Sequence, residues 1–205
     1  VTVTQSPAAG VTLSGAGTTQ TITLTATDNA GNTTNCTFEI TLIDTIDPVI
    51  TCPGDQTASA DANCEFTMAD YTGLGTATDN CDAAPVITQS PIAGDIVSGT
   101  TTVTLTATDA SGNTATCTFD VVVTDNAAPV INTCQSDVNR DLDGSCEYSL
   151  EDFTGAITAT DNCTPDANIV YTQSPAAGVI LTGVGSTHTI TLTATDTNGN
   201  SSDCT

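Results

Sequence analysis

The sequence predicts an all-β chain of tandem Ig-like β-sandwich repeats, each of about 82 residues. Three observations carry that prediction. Cysteines return at a fixed spacing: Cys52, Cys64 and Cys81 recur 82 residues later as Cys134, Cys146 and Cys163. Threonine alternates with apolar residues along extended runs, a period of two, and no stretch shows helical spacing. Asp, Gly, Asn and Pro interrupt these runs at short intervals, as turns between short strands do.

Taken in chain order, VTVTQSP opens the chain and leads into QSPAAG at 5–10. That motif returns as QSPIAG at 89–94 and QSPAAG at 173–178, each step being 84 residues. TITLTAT at 21–27 reads as a strand and TATDNAGN at 25–32 as the turn after it, with Cys36 beyond. IDTIDPVI at 43–50 reads as a linker into the next repeat, which carries Cys52, Cys64 and, in TATDNC at 76–81, Cys81. In TTTVTLTAT at 100–108, Val103, Leu105 and Ala107 alternate with Thr, the signature of a half-buried strand. With the Gly-containing turn ASGN at 110–113 and TATCTFDVVV after it, this segment predicts a hairpin. THTITLTAT at 187–195 and TATDTNGN at 193–200 repeat the pattern, after a small insertion around VGSTHT and before Cys204.

The resulting division is residues 1–46 as the C-terminal part of one repeat, 47–127 as a complete repeat and 128–205 as a nearly complete one. Cys36, Cys117 and Cys204 form the fourth cysteine column. Cys36 is the odd ninth cysteine, expected to belong with cysteines upstream of residue 1 in a longer tandem array.

Composition removes several function classes. The 24 acidic residues face a single Arg140, for a formal charge of −23. Nucleic acid is excluded as a partner, because phosphate binding needs clustered Lys and Arg, and an anionic membrane surface is disfavoured on the same ground. Such a chain repels itself unless something positive screens or binds it. A solubilising surface charge and bound metal cations both remain open at this level. Disorder is set aside because hydrophobic residues make up 38% of the chain and fall in regular patterns. With no Trp, four Phe and three Tyr, the core must be thin. Nine cysteines without a close thiolate pair point to a disulfide framework and an extracellular, oxidising location. Zinc does not fit, since His188 is the only histidine. No signal peptide or membrane span is visible. Nor is there a nucleophile–His pair, a phosphate loop or a cofactor motif, so the chain reads as no enzyme. His188 and Arg140 read as surface residues.

The stretch 47–125, with DPVITCP, NCEF, TATDNC and VTLTATDASGN in order, resembles the hyalin repeat (HYR). That family is an Ig-like extracellular module found in tandem in adhesion and matrix proteins, and the resemblance runs along the chain unit by unit. This sequence departs from common members in lacking Trp and nearly all basic residues.

In an Ig-like sandwich, the loop after the second strand, the hairpin joining the last two strands and the entering linker share one end. Asp44 and Asp47 from the linker are therefore expected to meet Asp79, Asp82 and Asp109 at one boundary between repeats. Asp125, Asp161 and Asp196 are expected at the next. Asn80, Asn113, Asn162 and Asn200 offer amide oxygens nearby. Converging carboxylates without a Lys or Arg repel one another, and a divalent cation wanting six to eight oxygens reverses that. The sequence-level metal set is thus Asp44, Asp47, Asp79, Asp82, Asp109, Asp125, Asp161 and Asp196, with calcium (Ca2+) as the cofactor. Plain turn chemistry, in which Asp caps its own turn and Gly supplies positive φ, is the competing account of the same motifs. No EF-hand pattern is present.

For the cystines, fold logic favours Cys81–Cys117 and Cys163–Cys204, with Cys52–Cys64 and Cys134–Cys146 clipping the first two strands together. Cys52–Cys117 is the main rival, and connectivity is not fixed by sequence. Threonine ladders invite an ice-binding reading, which β-propensity and sheet twist argue against. Sequons stand at Asn32, Asn35, Asn162 and Asn200. The functional expectation is a structural extracellular repeat protein, a rigid fibre, stalk or filament braced by disulfides and inter-repeat calcium. Its partners are neighbouring repeats or copies of itself, head to tail. The alternative is an adhesin that recognises a glycan or a surface receptor. Binding modules diversify their loops, whereas here the candidate loops are the best-matched parts of all three units.

Overall fold

In the computed structural model, which describes residues 1–205, every long element is a strand and helix is confined to three single 3-10 turns. The fold is all-β. Contacts divide the chain into two compact units. One comprises Val1–Asp55, Ala69–Ala93 and Thr102–Asp120; the other comprises Gln56–Met68, Gly94–Thr101 and Val121–Thr205.

In the first unit, Thr2–Ser6, Thr19–Thr27 and Thr33–Thr41 form a three-stranded antiparallel sheet. Val49–Thr51 pairs antiparallel with Thr76–Thr78. Thr100–Thr108 runs antiparallel to Val86–Ser90, placing Leu105 opposite Gln89 and Ala107 opposite Ile87. Its other edge meets Thr114–Thr124, as the hairpin reading required. The period of two decides what this strand buries: Val103, Leu105 and Ala107 are fully enclosed, and the threonines between them are half-buried. Tyr71 meets Phe119 edge to face, with ring centroids 5.5 Å apart. Gly75 sits in close approach, since a Cβ there would fall 2.8 Å from Leu105 Cδ1 and the leucine would have to shift.

The QSP motif has a packing role. Gln89 accepts the Tyr71 N–H at 2.6 Å and donates to the carbonyls of Ala69 and Pro91, so one half-buried amide fixes the turn before Thr76–Thr78. Ser90–Pro91 is cis, as are Ser6–Pro7 and Ser174–Pro175.

In the second unit, Gln56–Ser59 pairs in parallel with Val121–Thr124, and Phe66–Thr67 pairs with Ile96–Val97. Val130–Thr133 pairs with Thr158–Thr160 across a register shift, and Glu147–Ser149 pairs with Ile180–Thr182. Val170–Ser174, Thr191–Thr195 and Ser201–Cys204 form a three-stranded antiparallel sheet. Leu150, Phe153, Ile157, Ala159, Ile169, Leu192 and Ala194 make the core, with Tyr148, Tyr171 and Leu181 packed against it. Here the strand expected at 187–195 starts only at Thr191. Gly183 and Gly185, both at positive φ, turn the chain, and His188 Nε2 hydrogen-bonds to Ser186 Oγ at 3.0 Å.

Three cystines form: Cys52–Cys117, Cys134–Cys204 and Cys64–Cys163. The four pairings favoured from sequence are therefore corrected. Cys52 follows Val49–Thr51 and places its Cα 5.7 Å from that of Cys117, within bonding reach, so the rival pairing forms and Cys81 is left out. Cys134 meets Cys204 in the same way at 6.4 Å. Cys64 faces Cys163 across a Cα separation of 4.8 Å rather than Cys52. Cys36, Cys81 and Cys146 are exposed and carry free thiols.

Candidate metal centres

Each candidate centre begins with a turn written by the order Asp-x-x-Gly-Asn. Asp109 Oδ1 accepts the N–H groups of Ser111 at 2.9 Å and Asn113 at 2.8 Å, while Oδ2 accepts the Asn113 amide at 2.7 Å. Gly112 sits at φ +93°, a conformation glycine adopts without strain. Asp196 repeats the pattern with Asn198 and Asn200, and Asp28 repeats it with Ala30 and Asn32. Turn chemistry is thus real at all three sites. It does not account for what surrounds two of them.

The TATDN loops add a second carboxylate. Asp79 Oδ2 accepts the N–H groups of Cys81 and Asp82, and Asp161 Oδ1 accepts those of Cys163 and Thr164. The extended segments before Pro48 and Pro129 add a third. Asp44 Oδ1 accepts the Ile46 N–H at 3.2 Å, and Asp125 Oδ1 accepts the Ala127 N–H at 3.0 Å. In each of these four residues the second oxygen is buried without a hydrogen-bond partner: Asp44 Oδ2, Asp79 Oδ1, Asp125 Oδ2 and Asp161 Oδ2. The hairpin is tied to the segment it meets, because Asn113 Nδ2 donates to the Asp44 carbonyl and Asn200 Nδ2 to that of Asp125.

Two triads result, Asp44–Asp79–Asp109 and Asp125–Asp161–Asp196, each with carboxylate oxygens within 4.8 Å of one another. Each lies within a single compact unit. Asp47 and Asp82 join neither triad. Asp47 is exposed, and Asp82 directs its two oxygens at the N–H groups of Ala84 and Ala110. The asparagines also differ from expectation: Asn113 and Asn200 turn amide nitrogens toward their neighbours, as do Asn80 and Asn162. Asp28 makes its turn alone.

The electrostatics follow from this crowding. Burial, with Asp161 and Asp196 adding repulsion, pushes the Asp125 carboxyl above its ordinary value. At Asp109 burial acts in the same direction, but the hydrogen bonds from Asn113, Ser111 and Gly112 outweigh it and hold the carboxyl low. Asp196 is held low in the same way by Asn200, Asn198 and Gly199. The Cys81 thiol, although its residue is exposed, is raised by partial desolvation and by the charges of Asp44 and Asp79. No cationic side chain relieves either triad. The chain has no Lys, and Arg140 is spent on an ion pair with Glu151 and a stacking contact 6.0 Å from the Phe153 ring centre. Among the sequence motifs, the DANCE (61–65) and DGSCE (143–147) turns were missed, although they recur at the same 82-residue spacing.

Residues 43–123 match the family model of the HYR domain. The chain is 34% identical over 196 residues to hyalin of Strongylocentrotus purpuratus, an alignment covering 90% of this chain and 15% of that protein. Residues 43–123 belong to the hyalin repeat family. This HYR protein is also 34% identical over 116 residues to the serine-rich adhesin for platelets of Staphylococcus aureus (strain MRSA252), covering 52% of this chain and 8% of the adhesin. Among solved structures, human CDH23 EC21-23 is similar with a TM-score of 0.36 at 15% identity, covering 90% of this chain and 72% of that one. The HYR protein thus spans a small part of the length of the relatives it matches. The first triad lies wholly inside the HYR match, and the second lies beyond its end.

Proposed function

We propose that this chain is part of a non-enzymatic, structural extracellular protein of the adhesion type. Its repeats follow one another head to tail, braced by cystines and by calcium at Asp44–Asp79–Asp109 and Asp125–Asp161–Asp196. Cystines support an oxidising location. No helix is long and apolar enough to cross a membrane.

The observation that carries the calcium reading is the set of four buried carboxylate oxygens without a partner. A buried charge left unpaired costs several kcal/mol, and two such oxygens beside a third carboxylate, all within 4.8 Å, compound the cost unless a cation is present. The donor set is all oxygen and sits on turns and extended segments. That arrangement suits a hard cation accepting irregular geometry better than zinc or octahedral magnesium. With a dissociation constant of about 0.1 mM and about 1 mM calcium, each site adds about 1.4 kcal/mol of stability. A glycan-gripping role finds less support, since the cleft beside Asp61 and Asp161 is lined by Ala60, Ala62, Ala127 and Ala128 and offers no aromatic face.

The test is calorimetric titration of chelator-stripped protein with calcium chloride. Two ions per chain are expected, and Asp79→Asn and Asp161→Asn should each remove one. Absence of saturable binding, or two ions retained in both variants, would sink the calcium bracing.

A further inference from the structure

Cys64 lies inside the HYR match and Cys163 outside it, yet the two are bonded. On the 82-residue spacing they occupy different columns of adjacent repeats. Both halves of this bond are built by local turns, and both turns are present a second time without a bond. On the Cys64 side, Asp61 Oδ1 accepts the N–H groups of Asn63 and Glu65, and the Cys64 N–H donates to the Asp61 carbonyl. Cys64 is thereby held at φ 61°. Around Cys146, Asp143 accepts from Ser145 and Glu147 in the same pattern, and Cys146 stands at φ 59°. On the other side, Asp161 caps the loop presenting Cys163, and Asp79 does the same for Cys81. Asn162 Nδ2 donates across the existing junction to the Asp61 carbonyl at 2.8 Å. Asn80 Nδ2 stands 3.0 Å from Cys81 Sγ.

We propose that Cys146 and Cys81 are opposite halves of the same inter-repeat cystine, each completed by a further repeat of this type. Cys146 takes the thiol of an Asp-Asn-Cys loop, and Cys81 takes the thiol of an Asp-x-x-Cys-Glu turn. The bonded Cys64–Cys163 pair shows the product and fixes the polarity, because neither half resembles the other. Each bond joins two thiols, which give up two protons and two electrons. A small-molecule or protein disulfide accepts these by exchange and leaves as two thiols. In such an array the loop that positions Asp79 or Asp161 also carries the crosslink. Non-covalent and covalent bracing then share one element.

The inference rests on the tandem arrangement proposed above but not on calcium, so the experiment is run in chelator. Free thiols of the native, full-length protein are blocked with N-ethylmaleimide. The protein is then digested without reduction, and its disulfide-linked peptides are identified by mass spectrometry. The peptide containing Cys81 should be linked to one reading Asp-x-x-Cys-Glu, and the Cys146 peptide to one reading Asp-Asn-Cys. Recovery of either cysteine as the maleimide adduct, or bonded to a cysteine in any other context, overturns the proposal. A non-reducing denaturing gel of the same sample locates the partner. A single band at the mass of one chain places it in the same polypeptide, and a ladder collapsing on reduction places it in a second copy; the proposal stands in either case. Calcium binding that persists while the mapping fails sinks this inference alone.

Discussion

Asp125 separates the turn-only account of the acidic motifs from the cation account. Its single hydrogen bond, from the Ala127 N–H, would survive replacement by Asn, so turn chemistry alone predicts no dependence on calcium. The buried Oδ2 predicts something sharper. The folded carboxyl lies above its ordinary 3.8, so its contribution to stability is fully present below 3.8 and is lost as pH rises through the folded value. Asp125→Asn cannot titrate. In chelator the variant should therefore melt with the wild type near pH 3 and above it near pH 7, the gap opening as pH rises. In about 1 mM calcium at pH 7 the order reverses, because the variant forfeits roughly 1.4 kcal/mol of bound-ion stabilisation. Thermal melts at both pH values, with and without calcium, decide it, and curves that coincide in all four conditions remove the ion. Asp70 and Asp152, held low by their hydrogen bonds to Thr72 and Thr154, run oppositely: what they contribute is present above 3.8 and lost as pH falls through their folded values. At this scale the sequence exposed the convergence of Asp44, Asp79 and Asp109, because each sits in a motif with a predictable turn. It could not exclude Asp82, whose oxygens are claimed by Ala84 and by Ala110, a residue 28 positions along the chain.

Among the strands, alternation was the legible signal. Val103, Leu105 and Ala107 were placed inward from their spacing with Thr, and all three are enclosed. The same alternation is less informative at Thr33–Thr41, where Phe38 and Ile40 remain 50% and 40% exposed. A period says which residues share a face, not whether that face is covered. Cystine pairing was misjudged for a related reason. It depends on which strands become neighbours, and the pairing of Val49–Thr51 with Thr76–Thr78 is a long-range event invisible to local pattern. Leu105 tests how much this thin core depends on one strand. It is fully enclosed, and it approaches the Gly75 backbone. Leu105→Ala should cost about 2–5 kcal/mol, read as a lowered urea midpoint with an unchanged slope. Leu74→Ala, at a residue 51% exposed, should cost well under about 1 kcal/mol. Equal losses at the two positions would mean that burial in the Thr100–Thr108 strand does not govern stability.

Over the whole chain, charge and repetition were readable because neither needs coordinates: a formal −23, no Lys, and cysteine columns 82 residues apart. What the spacing left undetermined was which cysteines bond across long stretches of chain, and a single residue makes that measurable. Arg140 is the only Lys or Arg, so trypsin has one site in the chain, within residues 135–143 that carry no regular structure. Cleavage there yields segments of 140 and 65 residues. Two cystines span the cut, Cys64–Cys163 and Cys134–Cys204, whereas Cys52–Cys117 lies on one side of it. On a non-reducing denaturing gel the nicked chain should stay whole, and it should still do so in Cys134→Ser or in Cys64→Ser. Only the variant lacking both Cys64 and Cys134 should fall into two pieces without reductant. Under local pairing, with Cys134 bonded to Cys146, the Cys134→Ser change alone would release them. The number of substitutions needed to separate the fragments therefore reads out the long-range connectivity on which the proposed crosslinked array depends.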